Sequence, residues 1–103
     1  MSDAGSTSVL IRGIDPGTLF FTPDDILLVV DDNPDLNSYI ASIFVPFVRV
    51  EQAKDGIEAL EIARRVKPSL ILSDVSMPRM SGTELLAKVK SDPVLEFTPV
   101  ILM

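Results

Sequence analysis

The stretch Ile26-Leu27-Leu28-Val29-Val30-Asp31-Asp32-Asn33-Pro34-Asp35 is an unbroken apolar run that turns abruptly acidic and then opens a helix. Its first residues are aliphatic and rich in β-branched side chains, without polar alternation, which is the pattern of a strand buried on both faces. Asn33 suits a helix N-cap, Pro34 the first helical position, and Asp35 the positive end of the helix dipole. A second run of the same kind, Leu70-Ile71-Leu72-Ser73-Asp74, leads into Val75-Ser76-Met77-Pro78. If the two runs are neighbouring parallel strands, Asp31, Asp32 and Asp74 meet at the sheet edge where open α/β sheets bind ligands. Two unit charges about 5 Å apart repel by roughly 3 kcal/mol at an effective dielectric of about 20. Three carboxylates in one place must take up a proton or hold a cation.

Outward from these runs the pattern stays regular. Leu36, Tyr39, Ile40, Ile43 and Phe44 are spaced as one face of a helix that Pro46 ends. Val48 and Val50 alternate with Arg49 and Glu51, a strand with one more solvated face. Asp55-Gly56 is a turn that starts a helix with Ile57, Ala59, Leu60, Ala63 and Val66 on its apolar side, ended by Pro68. Ser81-Gly82-Thr83-Glu84 is a capping box. The helix it opens uses Leu85, Leu86 and Val89 and runs to about Ser91, before Asp92-Pro93. Thr98-Pro99-Val100-Ile101-Leu102-Met103 begins a fourth strand. Strands alternating with helices specify an α/β fold with a doubly wound parallel sheet.

Residues 1–25 read as a leader or linker, partly disordered: 1–8 are small and polar, 9–14 form an apolar patch, and Asp15-Pro16-Gly17 is a turn. Thr22-Pro23-Asp24-Asp25 closes the leader. The domain proper is residues 26–103.

Composition removes whole classes of function. The chain has 103 residues, enough for one small domain. It contains no cysteine and no histidine, so disulfides, zinc sites of the Cys/His type, catalytic triads and phosphohistidine on this chain are excluded. A net charge of −6 without a basic run disfavours nucleic acid and anionic membranes as partners. The 47% hydrophobic content is divided into short runs, far below the roughly 20 residues of a membrane span. No basic region and apolar core mark a signal peptide, and the expected location is cytoplasmic.

An all-oxygen donor set favours a hard cation, Mg²⁺ or Mn²⁺. Mg²⁺ takes one or two carboxylates, which leaves a third free to act as a nucleophile and become an acyl phosphate. Each acid has a bland reading beside this one. Asp-Asp before Asn-Pro is by itself a turn and cap, and an Asp after an apolar strand is by itself a residue that introduces a helix. Ser76 reads as a turn residue, Met77 as packing and Pro78 as a loop-fixing residue.

Residues 26–103 resemble the receiver domain of two-component response regulators, especially the type attached to hybrid histidine kinases. The resemblance rests on Val29-Val30-Asp31-Asp32-Asn33, Asp55-Gly56, Leu72-Ser73-Asp74-Val75-Ser76-Met77-Pro78, Met80-Ser81-Gly82 and Thr98-Pro99-Val100-Ile101. It implies a flavodoxin-like parallel sheet of order 2-1-3-4-5, here with four of the five strands and three of the five helices. It also implies that Asp74 accepts a phosphoryl group from a partner's phosphohistidine, on a histidine kinase or a histidine phosphotransfer protein. Asp32 then aligns with the direct Mg²⁺ ligand, Asp31 with its acidic neighbour acting through water, and Ser76 with the residue whose main-chain carbonyl completes the protein ligands, where Met or Asn is more usual. Asp74 shares the metal, while Met77, Pro78 and Gly82 shape the loop.

The family's phosphoryl-contacting Ser or Thr after the fourth strand, and its Lys after the fifth, have no counterpart up to Met103. Lys88 and Lys90 belong to the preceding helix. From this the chain is expected to be marginally folded on its own, with an apolar strand edge prone to self-association. The receiver is expected to be no enzyme beyond promoting its own phosphorylation and dephosphorylation. Two other readings stay open at this level. One is a pseudo-receiver interaction fragment without phosphate chemistry, binding a partner through residues 36–44. The other is a haloacid-dehalogenase-like phosphatase, which needs Asp-x-Asp where this chain has Asp31-Asp32-Asn33-Pro34.

Overall fold

A computed structural model of the chain describes residues 21–103. The features expected of residues 1–8, 9–14 and 15–17 lie outside the described residues. From the N-terminal side the elements are β1 (Ile26–Val30), α1 (Pro34–Phe44), β2 (Arg49–Ala53), α2 (Gly56–Val66), β3 (Leu70–Ser73), α3 (Gly82–Ser91) and β4 (Val100–Leu102). The sheet is parallel throughout in the order β2-β1-β3-β4, as a doubly wound reading requires. Val30 pairs with Ala53 on one side and with Ser73 on the other. Three strands therefore end level, and the residues after them share one edge.

Alternation along the strands splits the core into two layers. Leu28, Val30 and Ile71 face α2 and α3, packing with Leu60, Ala63, Leu85 and Val89. Leu27, Val29, Leu70 and Leu72 face α1, packing with Ile40, Phe44 and Met103. Phe21 extends the second layer by meeting the Phe44 ring edge-to-face at 6.4 Å. Residues 22–25 are less linker-like than their composition suggests. Asp25 accepts from the Thr22 amide at 2.7 Å and from the Ser69 hydroxyl at 2.8 Å, and this turn fastens the start of β1 to the start of β3.

Two helices are rotated from the faces expected of them. In α1 the buried residues are Asn37, Ile40, Ala41 and Phe44, while Leu36 and Tyr39 are exposed. In α2 Ile62 is buried and Ile57 is exposed. The caps at Asn33 and Ser81 fall where the sequence places them, and Asp55, read as a turn residue, proves to be the cap of α2. Asn33 accepts from the amides of Asp35 and Leu36, Asp55 from that of Glu58, and Ser81 and Glu84 satisfy each other's amides. Ser81→Ala removes half of that box, and urea unfolding should show a loss of about 1 kcal/mol.

Candidate functional site

The strands deliver the acids as a set. Beyond the last residue of β1, the Asp31 amide still donates to the Ala53 carbonyl at 3.1 Å, and the Asp74 amide donates to the Val30 carbonyl at 2.9 Å. Asp31 and Asp74 are therefore fixed by backbone hydrogen bonds one step past the paired ends of β1, β2 and β3. One carboxylate oxygen from each of Asp31, Asp32 and Asp74 lies within 4.8 Å of the others. They form a gradient of accessibility: Asp31 is 3% exposed, Asp74 half-buried and Asp32 exposed. The Asp31 carboxylate accepts from the Asn33 amide at 2.9 Å, which shapes the turn that carries Asp32. Beside Asp31 and Asp32 opens a cleft of about 380 Å³, bordered by Ser38, Gln52, Lys54 and Glu58. A larger hollow of about 550 Å³ between α2 and α3 contains none of the three carboxylates.

The loop after Asp74 is held by contacts that bring backbone against backbone. Gly82 donates its amide to the Val75 carbonyl at 2.8 Å. A Cβ at Gly82 would overlap the Asp74 carbonyl oxygen. Glycine is needed at this position for close approach. Met77 and Met80 are partly buried against the α2 and α3 layer, and Pro78 accepts from the Met80 amide at 2.7 Å. Ser76 is an exposed residue of this loop, two positions past Asp74. Arg79 adopts a positive φ of 68° and pairs with Asp55 at 2.6 Å. That ion pair clips the loop after β3 to the turn after β2.

Asp55 is thus both helix cap and half of the clip. The Glu58 amide holds its carboxyl below the usual range, with the Arg79 guanidinium adding to the effect and desolvation opposing it. A carboxyl depressed on folding contributes stability above its unfolded pKa of about 3.9, and the contribution is lost as pH falls through the lower folded value. Asp55→Asn keeps a capping oxygen but does not titrate. Below about pH 4 the stability of the wild-type chain should fall more steeply than that of this variant. Chemical denaturation as a function of pH checks it, and parallel acid limbs would refute it.

The buried polar residue that periodicity overlooks is Asn37, whose amide reaches the strand ends behind Asp31. Asparagine scores as polar in any hydrophobic pattern, so only its place on the stripe with Ile40, Ala41 and Phe44 could have exposed it.

Residues 27–103 match the response regulator receiver domain. The chain belongs to that family. Hybrid signal transduction histidine kinase D of Dictyostelium discoideum is 41% identical over 78 residues, 76% of this chain and 5% of the kinase. The signal receiver domain of a signal transduction histidine kinase from Syntrophus aciditrophicus has a TM-score of 0.72 at 34% identity, covering 77% of this chain and 61% of that one. Chemotaxis protein CheY4 of Vibrio cholerae has a TM-score of 0.71 at 33% identity, covering 76% of this chain and 66% of that one. The chain spans only a small part of the curated relatives it matches, as the Dictyostelium kinase shows.

This receiver domain is homologous to the phosphoacceptor domains of hybrid histidine kinases and response regulators. Such domains take part in two-component signalling with histidine kinases; the receiver family is not itself catalytic, while some relatives that carry such a domain are whole enzymes, among them a probable cyclic di-GMP phosphodiesterase of Vibrio cholerae. Receiver domains bind Mg²⁺ at an acidic pocket, and the donor set here fits that ion: three carboxylates in reach of one another, with no histidine or cysteine in the chain. Among the described residues no helix is long and apolar enough to cross a membrane.

Proposed function

We propose that this receiver domain takes a phosphoryl group from a phosphohistidine of a histidine kinase or histidine phosphotransfer protein onto Asp74. Asp31, Asp32 and Asp74, with the main-chain carbonyl of Ser76, would hold Mg²⁺. The observation that carries the reading is the convergence of the three carboxylates within 4.8 Å at the level ends of β1 and β3.

The roles are those the family resemblance implies, and the burial of Asp31 is compatible with them. Asp31 is buried, and its carboxylate is engaged by the Asn33 amide. Asp74 is half-buried at the end of β3, with its backbone fixed to β1 on one side and its loop fixed by Gly82 on the other. A carboxylate oxygen of Asp74 attacks phosphorus, the bond from phosphorus to the histidine nitrogen breaks, and the imidazole departs with a proton from solvent. The product is an acyl phosphate on Asp74. When bound, Mg²⁺ neutralises charge on the transferring phosphoryl oxygens. Met77, Pro78 and Gly82 keep the loop, and hence Ser76, close to the acids. A cytoplasmic location belongs to this proposal, because phosphohistidine is made from ATP.

The test is transfer from a phosphorylated histidine phosphotransfer protein carrying labelled phosphate. Label should move to the wild-type chain and not to Asp74→Ala. Transfer to both would put the acceptor elsewhere, and transfer to neither would sink the proposal.

A further inference from the structure

Behind the acidic site sits a buried amide that the chemistry itself does not use. Asn37 is 5% exposed, on the stripe of α1 that otherwise carries Ile40, Ala41 and Phe44. Asparagine is a poor helix former, and a buried amide without partners is destabilising. Both polar atoms of Asn37 are engaged. Its Nδ2 donates to the Ala53 carbonyl at 2.9 Å and to the Asp31 carbonyl at 3.1 Å, and reaches the Val29 carbonyl at 3.5 Å. Its Oδ1 accepts from Gln52 Nε2 at 2.7 Å. The backbone carbonyls fix which way the amide faces, since a flipped Asn37 would set oxygen against carbonyl oxygen, and Gln52, whose own amide can turn to suit, donates to the oxygen that is left.

The Ala53 carbonyl also accepts from the Asp31 amide. One nitrogen therefore ties α1 to the ends of β1 and β2, at the residue where the chain leaves the sheet. That residue is Asp31, whose carboxylate shapes the turn carrying Asp32.

We propose that Asn37, braced by Gln52, is a positioning residue for the metal site. It fixes the Asp31 peptide so that the Asp31-Asp32 turn presents its carboxylates to Asp74. The inference rests on the reading of these three acids as a Mg²⁺ site. Groups that orient ligands from behind typically change metal affinity by about 10- to 100-fold when replaced.

The whole chain is titrated with MgCl₂ by calorimetry well below its thermal midpoint, and amide hydrogen exchange is followed in the metal-free protein. Asn37→Leu is expected to weaken Mg²⁺ binding by about 10- to 100-fold and to speed exchange of the Asn33 amide, which donates to Asp31. Gln52→Leu changes an exposed residue and leaves the core volume alone. It should shift both readings in the same direction, several-fold, and it carries the test if Asn37→Leu does not fold. Unchanged Mg²⁺ affinity and unchanged Asn33 exchange in the folded variants would overturn the proposal. A wild-type chain that binds no Mg²⁺ would overturn the metal-site reading and this inference with it, a failure visible before any variant is compared.

Discussion

Asp74→Ala is expected to leave the chain unable to take up a phosphoryl group from acetyl phosphate and Mg²⁺, under conditions in which the wild-type chain gains one. Asp74 is the proposed acceptor because the family resemblance gives it that role; accessibility alone would point to the exposed Asp32. Asp31 is buried with its carboxylate on the Asn33 amide, whereas Asp74 is half-buried one residue past β3. Mass spectrometry reads the result directly, and a phosphorylated Asp74→Ala would move the acceptor to another residue. The same substitution should have a second, opposite signature. Like charges within 4.8 Å repel by about 1 kcal/mol in water-like surroundings and roughly 3 kcal/mol at an effective dielectric of about 20. Removing one of them relieves that repulsion. In the absence of Mg²⁺, Asp74→Ala should therefore unfold at a higher urea concentration than the wild-type chain. Added Mg²⁺ should raise the wild-type midpoint more than that of the variant, by mass action on a stronger site. A residue that loses activity and gains stability when truncated is placed for chemistry and not for packing.

The parallel sheet was legible because its strands are buried on both faces. Ile26–Val30 and Leu70–Ser73 carry almost no polar residue, and each stops at acid where the backbone leaves the sheet. The caps at Asn33 and Ser81 were legible for a similar reason, since each does locally what its side chain does best. Helix rotation was not. Counting apolar residues assigns Leu36 and Tyr39 to the core face of α1, but the buried stripe is Asn37, Ile40, Ala41 and Phe44, with the Asn37 amide bonded to main-chain carbonyls of the strands. Ile57 is exposed likewise, while Ile62 takes a buried place on α2. The acids of the site were readable one by one, whereas the Arg79–Asp55 clip joins residues 24 positions apart and left no local signal.

Gly82→Ala should be the most damaging single-methyl change near the site. The added carbon would overlap the Asp74 carbonyl oxygen and lie 3.0 Å from Val75 Cα and 3.1 Å from the Asp74 carbonyl carbon. All three neighbours are backbone, so no rotamer change relieves the contact. Either the first turn of α3 moves outward, breaking the Gly82 amide bond to the Val75 carbonyl, or the loop carries Asp74 away from Asp31 and Asp32. Overpacking of this kind costs about 1–3 kcal/mol. The usual advantage of alanine over glycine in a helix, about 1 kcal/mol in its interior, is smaller at a first-turn position. A net loss near 2 kcal/mol would lower the thermal midpoint by roughly 10 °C in a domain of this size. Both ways of relieving the clash disturb the acids, so Mg²⁺ affinity and the rate of Asp74 phosphorylation should fall together. Thr83→Ala, one residue along and exposed, serves as the control and should change stability by less than about 0.5 kcal/mol. If Gly82→Ala melts and phosphorylates like the wild-type chain, the close approach between α3 and the Asp74 carbonyl does not exist, and the loop is held by its other contacts, the Arg79–Asp55 clip and the packing of Met77 and Met80.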